Sequence, residues 1–227
     1  MVFEALPERL AQVRAELARL APQPVTIVAV TKGFGIDAIR AARDAGLADV
    51  GENRVQEAVA KQQELGVGSQ ELAMRWHLIG HLQRNKARAV AGRFEMVHSI
   101  DSLELAQELD RRLQTPMRVL LQVNVAGESQ KSGCTPAEAP ALARQVAALE
   151  HLRVEGLMTM APLTDDVDVQ RRAFRGLRML RDGIQEEEGL WLPTLSMGMS
   201  GDYASAAQEG ATVIRLGTVL FGPRETP

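Results

Sequence analysis

The sequence predicts an α/β fold, a single (β/α)₈ TIM barrel preceded by an extra N-terminal helix. Eight short apolar runs, each suited to a buried parallel strand, alternate with helical patterns. A polar residue or a glycine follows nearly every run, as expected where the strand ends of a barrel share one rim. An open doubly wound sheet would spread those residues along a crevice. The 227 residues suit one domain, so the barrel is favoured.

The first predicted element is an amphipathic helix over residues 8–20, because Leu10, Val13 and Leu17 recur at helical spacing. Eight strands are predicted after it. Their spans are Ile27–Thr31, Asp49–Gly51, Trp76–Ile79, Met96–Ile100, Val119–Val123, Val154–Thr159, Thr194–Gly198 and Val213–Leu216.

Several of the intervening helices carry start and stop signals. Thr135 with Glu138 forms a capping-box pattern, and Pro136 occupies the first helical position between them. Gly46 follows a helical segment at the point where a left-handed residue ends a helix. No Pro, Gly or Ser-rich linker and no repeat divides the chain. We therefore expect one domain over residues 1–227.

The composition narrows the classes of function. Hydrophobic residues make up 45% and charged residues 24%, the balance of a soluble globular protein, and no apolar run is long enough for a bilayer span. The first residues do not resemble a signal peptide, so we expect a cytoplasmic protein. Cys134 is the only cysteine, which excludes an intrachain disulfide and a cysteine-based zinc site. A net charge of −3 does not favour nucleic acid. We expect no nucleic acid, membrane or metal partner, and a monomer.

Lys32 is the candidate nucleophile. Only four of the 26 basic residues are lysines, and Lys32 directly follows the first predicted strand, before Gly33 and Gly35. Most lysines are exposed and solvated. A lysine at the mouth of an apolar barrel is partly desolvated, which favours the neutral amine that attacks carbonyl groups.

A phosphate site is predicted beside it. Ser200 and Gly201 follow the seventh strand, and Gly217 and Thr218 follow the eighth. These two loops form the usual phosphate cradle of such barrels, since their backbone N–H groups face the anion. The same residues can also serve only as a helix cap and a chain turn.

Two further residues belong inside the predicted barrel. Arg215 lies two residues before Gly217, so strand alternation can point it inward, towards either a structural salt bridge or a heteroaromatic nitrogen of a ligand. His77 lies within an apolar run and is interpreted as a hydrogen-bonded core histidine rather than a metal ligand.

With these residues in place, the chain resembles the pyridoxal phosphate homeostasis proteins, single-barrel relatives of the alanine racemase N-terminal domain. The resemblance covers nearly the whole chain. It rests on segments Ala29 to Lys32, Gly51 to Glu57, Trp76 to Lys86, Ser99 to Asp101, Gln122 to Asn124, Lys131 to Gly133, Gly156 to Met160, Leu195 to Asp202 and Arg215 to Thr218.

The resemblance implies that the chain binds pyridoxal 5′-phosphate (PLP) as a Schiff base on Lys32. It also implies that Arg215 faces the pyridine nitrogen, and that Asn53, Met199 and His77 line or flank the ring. The phosphate would be held by Ser200, Gly201, Gly217 and Thr218.

The resemblance further implies a role in intracellular PLP homeostasis without robust catalytic turnover, with PLP-dependent apo-enzymes as recipients. No catalytic residue is assigned, because racemases of this type use a second acid/base, usually a tyrosine from an additional domain. The only tyrosine here is Tyr203, next to the predicted phosphate loop. The alternatives are a PLP-dependent racemase or decarboxylase, or a Schiff-base aldolase acting on sugar phosphates.

Overall fold

The computed structural model describes residues 3–66, 74–128 and 130–223, and within them eight parallel strands close into a barrel in chain order. Each strand pairs with the next, and β1 pairs with β8 to complete the ring. The predicted TIM barrel is confirmed, and every predicted strand overlaps an observed one. The strands are β1 (Thr26–Val30), β2 (Asp49–Glu52), β3 (Arg75–Leu78), β4 (Met96–Ile100), β5 (Met117–Gln122), β6 (Leu152–Met158), β7 (Thr194–Ser196) and β8 (Val213–Leu216).

Helices surround the barrel, and the extra N-terminal helix is confirmed as α1. A 3₁₀ helix, Arg84–Ala89, takes the place of an α-helix between β3 and β4. The α-helices are α1 (Leu6–Leu20), α2 (Ile36–Asp44), α3 (Val55–Glu64), α4 (Leu103–Asp110), α5 (Ala139–Ala147), α6 (Val167–Glu188), α7 (Tyr203–Gln208) and α8 (Thr218–Phe221).

The predicted helix signals have a structural basis. Gly46 ends α2 with φ +77°, a left-handed conformation. The capping box forms, since Thr135 N–H donates to Glu138 at 2.8 Å and Glu138 N–H donates to Thr135 Oγ1 at 3.3 Å. The regular helix α5 nevertheless begins only at Ala139. Pro140 has no N–H to donate to the first turn, so that turn does not continue into the helix.

Two apolar regions stabilise the barrel. The larger lies between the sheet and the helices and receives one alternating set of strand residues, including Ala29, Leu157 and Leu216. The inward set fills the barrel itself and splits by polarity, because Met96, Leu120 and Met158 form a small apolar cluster on one side. Polar residues occupy the other side. No helix in the described ranges is both long and apolar enough to cross a membrane.

Candidate functional site

A cavity of about 250 Å³ lies at the carboxyl ends of the strands. This volume lies just below the roughly 300–1,000 Å³ of drug-sized ligand pockets, so it suits a small ligand. Eight of the nine predicted site residues line it. The lining residues are Val30, Lys32, Phe34, Asn53, Ile79, Met160, Met199, Ser200, Gly201, Arg215, Gly217 and Thr218.

Lys32 is partly buried at the cavity wall, two residues beyond β1. Strand alternation places it on the inward side with Val28 and Val30. The residue before it is anchored, because Thr31 Oγ1 donates to Glu52 at 2.6 Å and Thr31 O accepts from Lys61 Nζ at 2.8 Å. The backbone that carries Lys32 is therefore fixed from β2 and α3.

Lys61 is a buried lysine that the sequence reasoning missed. Its Nζ contacts Glu52 at 2.6 Å and Glu57 at 2.8 Å, and Glu57 also accepts from Gly33 N–H at 2.7 Å. Burial raises the pKa of Glu52, although hydrogen bonds from Lys61 and Thr31 oppose that shift. The four-residue spacing of Glu57 and Lys61, which suits an ion pair along a helix, was the available signal. Because Lys61 is held by these acceptors and does not line the cavity, Lys32 is the lysine placed to meet a ligand there.

Asn53 is held in place by the neighbouring rim loop. Gly80 packs so closely against it that a Cβ at Gly80 would lie 2.3 Å from the Asn53 carbonyl oxygen. That distance is shorter than any real Cβ contact, so glycine is required at position 80 for this packing. The contact fixes the backbone of Asn53 at the cavity wall.

The loops after β7 and β8 meet at Ser200. Its Oγ accepts from Gly217 N–H at 3.2 Å and from Val219 N–H at 3.3 Å. A Cβ at Gly201 would meet nothing within 4 Å, so Gly201 faces open space. Asp202 turns into its own loop and accepts from Met199 N–H at 2.5 Å, while burial raises its pKa. Ser200 therefore keeps its own hydroxyl proton, and the Ser200 and Thr218 hydroxyls lie at this end of the cavity as donors, which suits an anion.

Arg215 points into the barrel, as predicted, and its residue is only 4% exposed. Its Nη1 donates to Ser196 Oγ at 2.7 Å and its Nη2 to Thr159 O at 3.0 Å. Both acceptors are neutral, so the structural salt bridge considered from the sequence is not what holds it. Burial lowers the pKa of Arg215 to about 10, a shift that Asp202 opposes, so the guanidinium remains charged at neutral pH.

His77 is the predicted site residue that the described structure does not bring to the cavity. It lies deeper in the barrel, where Nε2 is 2.9 Å from Asp49 Oδ1 and Nδ1 is 2.9 Å from His98 Nε2. This placement fits the interpretation of His77 as a hydrogen-bonded core histidine. Its partners come from β2 and β4, and only the closed barrel brings them together.

The apolar walls of the cavity were not named as site residues from the sequence. Val30, Phe34, Ile79 and Met160 all line it. Phe34 also packs on Phe221 of α8, with ring centroids 5.3 Å apart, so the loop that follows Lys32 contacts the helix that begins at Thr218. The amine and the guanidinium therefore border apolar walls on several sides.

The arrangement fits a small phosphorylated aldehyde with a ring acceptor. The cavity combines a lysine amine for a carbonyl, a buried guanidinium for a ring acceptor, and a donor cluster for a phosphate. Apolar walls would accept the ring itself.

Comparisons with known proteins agree with this chemistry. A family profile described as "Alanine racemase, N-terminal domain" matches residues 5–225. The Pseudomonas aeruginosa pyridoxal phosphate homeostasis protein is 44% identical, over 98% of this chain and 97% of its own length. The Escherichia coli protein of the same name is 40% identical, over 97% of each chain.

Solved structures show the same barrel. PipY of Synechococcus elongatus, solved with PLP bound, superposes with a TM-score of 0.86 at 40% identity, over 96% of this chain and all of that one. Alanine racemase of Clostridium difficile shares only the fold, at 15% identity and a TM-score of 0.75, and the match covers 59% of its length.

Proposed function

The chain belongs to the alanine racemase N-terminal domain family, and on that premise we propose that it binds pyridoxal 5′-phosphate and acts in PLP homeostasis. One observation carries the proposal: Lys32, the buried Arg215 and the donor cluster at Ser200 line a single small cavity. Relatives that share 40% or more of the sequence over nearly the whole chain carry that name or hold PLP.

The cluster centred on Ser200 would hold the phosphate. Its hydroxyl accepts two backbone N–H bonds, so its own proton is available to a phosphate oxygen. Gly201 has no side chain, so a phosphate could approach its backbone closely. Gly217 and Thr218 line the same end of the cavity. Ser200, Gly201, Gly217 and Thr218 are therefore assigned to phosphate binding.

Arg215 would donate to the pyridine nitrogen. A guanidinium has donors only and keeps its proton at neutral pH, so its partner must be an acceptor. It would hold the ring nitrogen unprotonated. Asn53 and Met199 line the same cavity and are assigned to the ring. His77 does not line it, so His77 would affect the ligand only through the residues that it contacts.

Lys32 would carry the cofactor covalently. Bound PLP supplies an aldehyde that condenses with a primary amine, losing water and giving a visible chromophore. Lys32 provides the amine at the cavity wall, on backbone that Lys61 and Glu52 hold fixed.

The covalent assignment is tested by reduction and peptide mapping. We expect purified protein to be yellow and borohydride to fix the cofactor on the peptide that contains Lys32, with Lys32→Ala abolishing the label. Attachment at Lys61, Lys86 or Lys131 would overturn the assignment. A colourless protein that borohydride links to a sugar phosphate would instead support the aldolase alternative.

The phosphate assignment is tested with two ligands. Ser200→Ala and Thr218→Val should weaken PLP by roughly 1.5–3 kcal/mol each, about tenfold to a hundredfold, because hydrogen bonds to a charged group are lost. Pyridoxal, which lacks the phosphate, should be little affected. Ser205→Ala, a buried serine that bonds Gln170 instead, is the matched control. Equal losses for both ligands would show that these residues do not face the phosphate.

We further propose that the protein carries PLP without robust turnover. Among the described residues lining the cavity, Lys32 is the one group suited to proton transfer near neutral pH. Tyr203, the only tyrosine in the chain, donates its hydroxyl to Glu16 of α1 and does not line the described cavity. A single base removes a proton but does not readily return it to the opposite face.

Turnover is tested with L-amino acids in deuterated water. We expect slow α-deuterium exchange at most and no appreciable loss of optical activity or of the carboxyl group. Multiple turnovers per minute that Lys32→Ala abolishes would establish a racemase or decarboxylase instead.

The role in homeostasis needs a recipient. We propose that the chain is a cytoplasmic monomer that hands PLP to PLP-dependent apo-enzymes. Light scattering should give a mass near 24.7 kDa. Mixing the loaded protein with an apo-enzyme should restore that enzyme's activity even when a scavenger removes free PLP. No restoration under those conditions would refute direct transfer.

A further inference from the structure

A continuous row of polar side chains crosses the barrel interior beneath the cavity. Asp49 Oδ1 lies 2.9 Å from His77 Nε2, and His77 Nδ1 lies 2.9 Å from His98 Nε2. His98 Nδ1 lies 2.9 Å from Ser196 Oγ, which accepts from Arg215 Nη1 at 2.7 Å. We call Asp49, His77, His98 and Ser196 the interior relay. It ends on the guanidinium that lines the cavity.

The relay is deeply buried and lies where apolar side chains are usual. His98 and Ser196 are 0% exposed, and Asp49 and His77 are at most 5% exposed. The interior of a TIM barrel is normally packed with bulky branched residues. Buried polar groups are unfavourable unless they are fully hydrogen-bonded, and apolar replacements avoid that penalty. A complete polar row therefore calls for a role that apolar packing would not fill.

The donors and acceptors fix one direction along the relay. An ionised Asp49 can only accept, so His77 holds its proton on Nε2 and donates to it. A neutral His77 then accepts at Nδ1 from His98 Nε2. A neutral His98 accepts in turn at Nδ1 from the hydroxyl of Ser196, whose Oγ also accepts from Arg215. Every link is satisfied with both histidines neutral.

The charges around the relay also favour a neutral His98 and an ionised Asp49. Burial, together with the charges of Arg215 and Arg118, lowers the pKa of His98 well below the usual value. At the far end, Arg75 makes a paired contact with Asp49 at 2.7 and 2.6 Å. Burial alone would raise the pKa of Asp49, but hydrogen bonds from Arg75 and His77, together with the charge of Arg75, lower it to about 2. A permanent anion thus ends the relay, opposite the permanent cation.

The far end also meets solvent. Asp49 and Arg75 line a cleft of about 640 Å³ that lies away from the ligand cavity, and the Arg75 side chain is 53% exposed. The relay therefore connects two separate surfaces of the barrel through its centre.

We propose that the interior relay is a positioning device, in which Asp49, through His77, His98 and Ser196, fixes the orientation of the Arg215 guanidinium towards the ring nitrogen of the bound ligand. The proposal rests on the proposed function, because the ligand is taken to be PLP. The relay residues do not touch the ligand. They determine which way the Ser196 hydroxyl points, and that hydroxyl holds one edge of the guanidinium.

The orientation is tested first in the ligand-free protein, so that its outcome is independent of PLP. Nitrogen-15 NMR of the imidazoles should show His98 neutral and protonated on Nε2 from pH 6 to 8. A proton on Nδ1 of His98, or titration of His98 near pH 6.5, would overturn the direction assigned to the relay.

The effect on the ligand is tested with a nitrogen-free analogue. Ser196→Ala should weaken PLP about threefold to tenfold and shift its visible absorption, because Arg215 loses one anchoring hydrogen bond. An analogue of PLP with CH in place of the ring nitrogen should bind wild type and Ser196→Ala equally. Ser205→Ala, outside the relay, should change neither ligand. Equal weakening of both ligands, or no weakening, would refute the positioning role.

A second pair of variants covers the case in which Ser196→Ala does not fold. His98→Asn keeps an amide oxygen near the place of Nδ1, so it can still accept from Ser196 Oγ. His98→Leu has a similar size and cannot. We expect the asparagine variant to retain PLP affinity and absorption closer to wild type than the leucine variant at matched thermal stability, and identical behaviour would refute the proposal. Failure of wild type itself to bind PLP would refute the proposed function alone.

Discussion

Replacing Asp49 by Asn tests the electrostatics at the far end of the relay. Asn has nearly the same size and can still accept from His77, but it removes the negative charge. The Asp49 residue is 5% exposed, and its carboxylate receives hydrogen bonds from Arg75 and His77. In the folded protein these bonds and charges lower its pKa from 3.8 to about 2, against the opposing effect of burial. The charge should therefore contribute to stability.

The size of that contribution follows from linkage between pKa and folding. A pKa that falls from 3.8 to about 2 on folding corresponds to about 2 kcal/mol of unfolding free energy at neutral pH. Because the pKa is lowered on folding, this stability is fully present above the unfolded pKa and is lost as pH falls through the folded pKa. At pH 3 about half of it should remain.

The measurement is urea unfolding of wild type and Asp49→Asn at pH 7, 4 and 3. The difference between the two proteins should be about 2 kcal/mol at pH 7, a fall in Tm of about 4–8 °C for a chain of this length. It should shrink to about 1 kcal/mol at pH 3. Asp37→Asn is the control, since that side chain is 73% exposed beside Arg40 and should change stability by less than about 0.5 kcal/mol. A difference independent of pH would refute the assigned charge contribution.

Three other outcomes follow from the packing. Gly80→Ala should weaken PLP measurably in a fluorescence titration, because the added Cβ collides with the Asn53 carbonyl and displaces a cavity wall; unchanged affinity would show that Asn53 is dispensable. Cys134 is buried and burial raises its pKa to about 12, so a thiol reagent at pH 8 should label it only after unfolding, and rapid labelling of native protein would contradict this. Glu209→Gln should lower the unfolding free energy by about 1 kcal/mol in urea, since the carboxylate accepts from two partly exposed arginines of α6, and no measurable loss would show the cluster to be unimportant.

Local sequence signals predicted most of the fold. Alternation of short apolar runs with helical stripes predicted eight strands, because each buried parallel strand is a nearly continuous apolar segment. The rim residues could also be predicted from the sequence, since Lys32, Asn53 and Ser200 each lie at or just beyond a strand end. The first residue of α5 was harder to predict from the sequence. It depends on how Pro140 interrupts a turn that otherwise has the right capping residues.

The interior relay was not predictable in the same way. His77 was singled out as a core histidine, but its partner His98 is 21 residues away, and Ser196 is a further 98 residues along the chain. No local pattern relates these positions. They become neighbours only when the barrel closes and alternation turns each of them inward. Lys61 was missed for a similar reason, because two of its three acceptors lie on other elements, at Thr31 and Glu52.

The division of the barrel interior also explains how one small barrel can separate stability from ligand positioning. Met96, Leu120 and Met158 fill one side with apolar contacts that need no particular proton arrangement. The relay fills the other side with bonds whose direction is set by a permanent anion and a permanent cation. Arg215 belongs to both the interior and the rim, since it ends the relay and lines the cavity. A guanidinium held in this way already has a restricted orientation before a ring acceptor binds. Less conformational entropy is therefore lost on binding, which favours affinity for the ligand.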